Sequence, residues 1–291
     1  MMAQELVQKH GYAVRPVCCV LELSPSSYYY RSQSTENQRM AIDLVQEAGR
    51  HPTYGTRRLT HQLRRKPYNY SVNRKRIQRL ARHLKLLRQV KRRKTRTTDS
   101  QHPYPRYENL VKGMKVVRPD QVWVSDITYI RLKDDFVYLA IVLDVFTRAV
   151  RGWCLSRTID QQLTLDALLM AMQKHRPQIH HSDQGVQYAN YTYIELLQLA
   201  GIRISMAAIG KAEENGYAER FMRTIKEEEV DLSEYHDFAD ANCQIGRFIQ
   251  DAYSTKRIHS SLGYLTPAEF EVAYWLSSKP AAVEEHSLLN P

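Results

Sequence analysis

Residues 215–229 read NGYAERFMRTIKEEE, and the rest of the chain is best read outward from them. From Tyr217 on, the apolar residues Ala218, Phe221, Met222 and Ile225 fall at i, i+3, i+4 and i+7. That is the stripe of an amphipathic helix. At ~100° per residue, Glu219, Arg223 and Lys226 gather on a different face. Taken alone, such a face is an ordinary i,i+4 ion pair worth on the order of a few tenths of a kcal/mol.

The acids upstream change that weight. Asp183 lies in HHSDQGVQY (180–188), just past the apparent strand PQIHHS, and 35 residues separate it from Glu219. Asp126 lies in QVWVSDITYIRL (121–132), a β-branched and aromatic run that reads as a buried strand, with 56 residues between it and Asp183. Two strand aspartates and one helix glutamate are what a two-metal phosphoryl-transfer site requires. Mg²⁺ is hard and takes oxygen ligands, usually a few carboxylates plus substrate phosphate. Two such ions about 3.5–4 Å apart activate the attacking oxygen and stabilise the leaving one. Strands and a packed helix hold the donors better than loops.

An acidic triple alone is a weak signal in a chain with 31 acidic residues. Six blocks in order are not. YGTRRLTHQLRR (54–65), VNRKRIQRLARHLKL (72–86), QVWVSDITYI (121–130), HHSDQGVQY, NGYAERFMRTIKEEE and YSTKRIHSSLGYLTPAEF (253–270) resemble the frame-B (OrfB) transposase of bacterial insertion-sequence family 3. The spacing of the acids resembles the retroviral-integrase-type core. The resemblance implies a DDE transposase performing metal-dependent phosphodiester hydrolysis and strand transfer at insertion-sequence ends. It implies Asp126, Asp183 and Glu219 as catalytic residues and as ligands of two Mg²⁺, with Mn²⁺ able to substitute. Arg223 and Lys226 would hold the transposon end or, on the plainer reading, pair with Glu219. The expected partners are double-stranded DNA, a first-frame (OrfA) product or a frameshift fusion with it, and further copies of the chain on DNA. The family's RIHSSLGY block often carries Pro where Ile258 stands here, which leaves the local turn open. The alternatives are a regulator with an inactive core and a nuclease that only hydrolyses.

Charge supports a polyanion partner. Net charge is +11, yet His51–Arg118 holds 21 Lys and Arg against only Asp99 and Glu108. The rest of the chain is therefore mildly acidic, as in a basic arm joined to a separate domain. Helices are expected over 36–50, 57–65 and 72–87, with Ile42, Leu44, Val45 and Ala48 inside the first and Ile77, Leu80, Leu84 and Leu87 along the last. A helix, a short turn and a basic helix fit a helix-turn-helix reader. Its candidate DNA contacts are Arg57, Arg58, Arg74, Lys75, Arg76, Arg79 and Arg82, continued by Lys91, Arg92, Arg93 and Lys94 in an extended linker. Residues 14–30 read as two short helices around a Ser/Pro turn, similar to the helix-turn-helix-like element that opens this family's frame-B product.

From Gln121 the pattern becomes α/β: strands 122–132, 136–146 and 149–155, helix 161–174, strand 178–182, helix 191–199, strand 203–206, then the helix carrying Glu219. Three strands on short turns make an antiparallel meander; the later strands alternate with helices and call for parallel additions. The resemblance makes this a ribonuclease-H-like mixed five-stranded sheet with helices, preceded by an all-α helix-turn-helix-type region. A further helix is expected over 238–253, and Thr266-Pro267-Ala268-Glu269 spells a capping box. The expected organisation is 1–34, a short helical element; 35–90, a basic DNA-binding domain; 91–118, a basic linker; 119–232, the core; and 233–291, a helical extension and tail.

Four cysteines form no CxxC pair, which speaks against structural zinc. No charged-then-apolar leader and no apolar run of about 18 residues is visible, so a cytoplasmic, nucleoid-associated protein with no membrane partner is expected. Among the other acids, Asp134 and Asp135 read as turn residues. Asp144 ends a strand and either bridges to Arg148 or neighbours the metals. Glu213 and Glu214 precede the regular helix, where acids suit the N-terminus. His180 and His181 read as strand residues or DNA contacts.

Overall fold

The computed structural model describes residues 2–29, 34–87, 105–133, 135–208 and 210–278. The chain divides into two compact units, Met1–Arg88 and Gln89–Pro291. Lys91, Arg92, Arg93, Lys94, Asp99, Asp134 and the tail beyond Ser278 lie outside the described residues.

The first unit is helical: α1 (Met2–His10), α2 (Val14–Val20), α3 (Pro25–Tyr29), α4 (Ser34–Arg50), α5 (Thr56–Arg64) and α6 (Arg74–His83). The inward stripe of α4 is Met40, Leu44 and Glu47, at i, i+4 and i+7. Ile42 and Val45, expected inside, are 58% and 46% exposed. A buried carboxylate takes a place in that stripe, with one oxygen held by two donors: Arg50 Nη1 and Tyr68 Oη both donate to Glu47 Oε1, at 2.8 and 2.9 Å. The last helix is shorter than its apolar pattern. Asn73 Oδ1 accepts from Arg76 N at 2.9 Å and starts it, and Lys85 at φ 56° ends it. Ile77 and Ala81 are buried, whereas Leu87 is exposed.

In the second unit, β1 (Val122–Arg131), β2 (Phe136–Asp144) and β3 (Val150–Ser156) form the antiparallel meander. β4 (Ile179–Ser182) and β5 (Arg203–Met206) add in parallel on the other side of β1. The order β3-β2-β1-β4-β5 is the ribonuclease-H-like mixed sheet expected. Alternation along β1 sends Val122, Val124 and Ile130 to one core and Trp123 to the other. The second core takes α7 (Gln161–Met172), the short α8 (Val186–Ala189) and α9 (Tyr191–Leu199). α7 lies so close on β3 that a Cβ on Gly152 would stand 2.1 Å from the Ala167 carbonyl oxygen. The first core takes α10 (Gly216–Glu228), whose stripe Ala218, Phe221, Met222 and Ile225 is buried throughout.

Beyond α10, the helix expected over 238–253 is α-helical only as α11 (Phe238–Arg247) and continues as a π-helix over Phe248–Lys256. The wider i→i+5 turn brings Phe248, Ile249 and Tyr253, all buried, to one side, where a regular α-helix would splay them. α12 (Pro267–Ser278) follows a complete capping box: Thr266 N donates to Glu269 Oε2 at 2.9 Å and Glu269 N to Thr266 Oγ1 at 3.2 Å. Among the described residues, no helix is long and apolar enough to cross a membrane.

Candidate active site

The three acids sit on three elements that the sheet brings together. β1 and β4 pair in parallel through Val122–Ile179, Trp123–His180 and Val124–His181. Continued two residues further, that register sets Asp126, midway along β1, beside Asp183, the residue just past the end of β4. Asp126 shares the face of Val122 and Val124, over which α10 packs, and Glu219 stands in the first turn of α10. Asn215, just before α10, is buried and donates from Nδ2 to the Ser125 carbonyl at 2.9 Å, one residue from Asp126. Sequence spacing carries no sign of that tether. Asp183 Oδ1 accepts from Gly185 N at 3.0 Å. A Cβ on Gly185 would itself lie 3.0 Å from that oxygen, so the position suits glycine.

The acids feel one another. Burial and the Asp183 charge push the Asp126 carboxyl up to about 8, with Glu219 adding to the rise and Lys226 opposing it. Glu219 is also raised, first by burial, with Glu213 and Asp183 adding to it and Arg223 opposing it. Carboxylates this reluctant to ionise are a donor set short of positive charge, and their oxygens suit a hard divalent cation. Among the described residues, no three His, Cys, Asp or Glu side chains close into a ready ligand cluster. Glu219 is exposed and free of crowding by its own helix stripe.

Lys226 behaves differently from a simple pairing with Glu219, whereas the Arg223 charge does act on that carboxyl. Lys226 Nζ lies 4.4 Å over the Tyr129 ring, on the same strand as Asp126. Tyr129 was not singled out by sequence, because an aromatic in a strand reads as core. Tyr188, three residues past Gly185, buries its hydroxyl without a hydrogen-bond partner. Its phenol is raised well above its ordinary value by burial, and by Tyr193, Asp126 and Asp183.

The other candidates resolve into structural roles. Asp144 is fully buried and accepts from Asp120 N and Thr147 N, each at 2.6 Å. The expected bridge to Arg148 gives way to this turn: the Arg148 guanidinium donates to the Val145 carbonyl instead. Glu214 accepts from Asn109 Nδ2 and Ala208 N, at 2.8 and 2.9 Å, and holds the loop before α10. His180 and His181 are core residues, not surface contacts. His180 Nε2 is hydrogen-bonded to Ser125 Oγ (2.8 Å) and Tyr193 Oη (2.9 Å), and His181 Nδ1 to Ser205 Oγ (2.8 Å). Burial lowers them to about 3 and about 4.

The RIHSSLGY block closes on α10. Arg257, 4% exposed, donates to both Glu228 oxygens, at 2.7 and 2.8 Å, while Ile258 is fully buried. This bidentate pair joins residues 29 positions apart, which no local pattern marks. In the first unit, Arg57, Arg74, Lys75, Arg79 and Arg82 are exposed. Arg58 and Arg76 are partly covered, Arg58 over the Tyr54 ring at 5.2 Å and Arg76 donating to Asn37 Oδ1 at 2.6 Å.

Residues 116–212 and 200–267 match family models described as "Integrase core domain", and residues 38–94 match an "HTH-like domain". The chain is 34% identical over 270 residues to the "Insertion element IS600 uncharacterized 31 kDa protein" of Shigella sonnei, covering 89% of this chain and 98% of that one. It is 31% identical to the "Transposase for insertion sequence element IS629" of the same organism, over 92% of this chain and 95% of that one. It is 32% identical to the "Transposase InsF for insertion sequence IS3A" of Escherichia coli (strain K12), over 93% and 98%. With such likeness along nearly the whole of each relative, and an integrase core spanning the sheet and its acids, the chain belongs to the insertion-sequence family 3 transposases, which are DNA transposases.

Proposed function

We propose that Asp126, Asp183 and Glu219 form a DDE-type centre that cleaves and joins DNA strands at insertion-sequence ends. The observation that carries this is geometric: the parallel β1–β4 register brings Asp126, midway along β1, level with Asp183, and α10, packed over the same face, carries Glu219 in its first turn. Two Mg²⁺, with Mn²⁺ as substitute, would supply the charge that activates the attacking oxygen and stabilises the leaving one. Asp126 offers oxygens from within β1 and Asp183 from the residue just past β4, while Glu219 offers one from an exposed side chain able to turn inward. Asn215 keeps the start of α10 against β1, and so sets where Glu219 stands. Arg223 and Lys226, on the same helix face, would hold the phosphates of the strand being joined.

The domain scheme of the sequence belongs to the same proposal. The basic helices, through Arg57, Arg58, Arg74, Lys75, Arg76, Arg79 and Arg82, would grip end or flanking duplex, with Lys91–Lys94 along the backbone. The partners we infer are a first-frame product, or a fusion with it, and a second copy of the chain, since joining needs two ends. Its work would lie at the bacterial nucleoid.

The test is to mix the purified chain with Mg²⁺ or Mn²⁺ and a labelled duplex of the element's own end, with Glu219→Gln alongside. Metal-dependent nicking and joining that the variant loses is the expected outcome. Joining that survives in Glu219→Gln removes the third acid from the centre. Binding without cleavage, even when the two frames are fused, favours the regulator.

A further inference from the structure

α10 has a second flank, turned away from Glu219, Arg223 and Lys226. Tyr217 opens it, and its residue is 49% exposed although it belongs to no apolar stripe. One face of the ring is taken: the Arg148 guanidinium lies over it, 4.1 Å from the centroid. With one face covered and half the residue in solvent, the other side of the ring is left open. A Cβ built on the preceding Gly216 meets nothing within 4 Å, so the start of the helix is open there too.

Arg148 is held in place rather than resting there. Its backbone sits at φ 62°, a region that non-glycine residues rarely adopt. Its N–H donates to the Asp144 carbonyl at 3.0 Å, in a turn tied by the fully buried Asp144 carboxylate. Its guanidinium donates to the Val145 carbonyl, which fixes the plane that meets Tyr217. A strained residue held by its surroundings invites a functional explanation. Arg220, one turn on from Tyr217, adds a further cation close to Arg223 and Arg257.

An exposed aromatic ring, a planar cation locked beneath it and further cations along the same helix are what binds a single strand: rings stack bases and cations hold phosphates. We propose that Tyr217, backed by Arg148, stacks an unpaired nucleobase at the DNA end being processed. Opening the terminal base pair exposes that base, and the platform takes it in the first turn of α10, on the flank opposite Glu219. This rests on the reading of the chain as a strand-joining enzyme, but uses none of the three acids.

The test measures binding of the full chain, without metal, to two labelled duplexes of the element's end. One is fully paired, and the other carries a terminal mismatch with 2-aminopurine as the unpaired base. The expected result is tighter binding of the mismatched end and quenching of 2-aminopurine by stacking. Tyr217→Ala should reduce the preference by about five- to a hundredfold, the range of one base stack. It should abolish the quench and leave paired-end affinity unchanged. Tyr217→Trp should keep both signals, and Arg148→Ala should weaken them. Because the ring is exposed, unchanged thermal melting is expected for Tyr217→Ala. A wild-type quench and preference in Tyr217→Ala overturns the platform, as does an altered oligomeric state with the preference intact, which would make the ring a protein interface. Strand joining by a wild-type chain that shows no preference sinks the platform alone. No binding of either duplex, by the chain or by its fusion with the first frame, sinks the strand-joining reading with it.

Discussion

At the scale of single residues, the pairing of Arg257 with Glu228 has the clearest consequence. Both side chains are nearly enclosed, and the guanidinium meets both carboxylate oxygens. Arg257→Ala leaves a buried carboxylate without its partner, for which about 3–5 kcal/mol of lost stability is expected. Arg257→Lys should recover only part, since an ammonium cannot reproduce the bidentate fork. The urea midpoints of the three proteins check this. Lys226 lies on the same helix, partly exposed over the Tyr129 ring, and is proposed to hold DNA. Lys226→Ala should weaken end binding with little change in midpoint, and lower the slope of log K against log salt by about one. An unchanged slope would leave Lys226 as no more than a partner of the Tyr129 ring.

At the scale of elements, two glycines separate close packing from open space. In β3, Gly152 faces α7 with the Ala167 carbonyl and Ala171 N inside the reach of any Cβ. Gly152→Ala must push α7 off the sheet, and a loss of about 1–3 kcal/mol or more is expected. Gly216, at the start of α10, meets nothing and has helical dihedrals, φ −58° and ψ −22°. Gly216→Ala should therefore gain about 0.4–1 kcal/mol through a less flexible unfolded chain. Equal melting temperatures for the two variants would contradict the packing of α7 on β3. Elements also show where periodicity misleads. Along α4 the apolar letters favour Ile42 and Val45, but burial follows Glu47, whose Oε1 is held by Arg50 one turn on and by Tyr68 from beyond the helix.

At the scale of the whole molecule, stability should carry the signature of unneutralised acids. The Asp126 carboxyl, raised to about 8 from an ordinary value of 3.8, keeps a proton in the folded state that the unfolded chain has released. The folded protein thus binds more protons than the unfolded one up to about pH 8, and metal-free stability falls as pH rises toward that value. Below the ordinary imidazole value of 6.5 the buried histidines act the other way. Lowered to about 3 and about 4, they take up protons only on unfolding, so they add stability as pH rises through that lower range. Between pH 6.5 and 8 the buried histidines are largely neutral in both states, so the fall there comes from raised carboxyls, with Asp126 foremost. In a chelator, urea midpoints should drop across this range in the wild type and much less in Asp126→Asn. Saturating Mg²⁺ should flatten the wild-type limb, because a cation favours the ionised carboxylates. A limb untouched by either change would separate Asp126 from any cation site.

Much of the molecule was legible before folding, wherever the signal was local. The stripe of α10, the capping box at Thr266 and Glu269 and the β-branched run of β1 are written within a few residues of themselves. Local geometry alone turns such patterns into elements. The order of the acids was legible too, since the family blocks carry it. Tertiary structure alone decided what lies between distant residues. Asn215 finds the Ser125 carbonyl 90 positions away, and Arg257 finds Glu228. His180 and His181 turn into the core, and Arg148 leaves Asp144 for the Tyr217 ring. Such contacts depend on which elements the sheet order makes neighbours, and no spacing along the chain encodes the distance between two side chains that only a closed topology brings together.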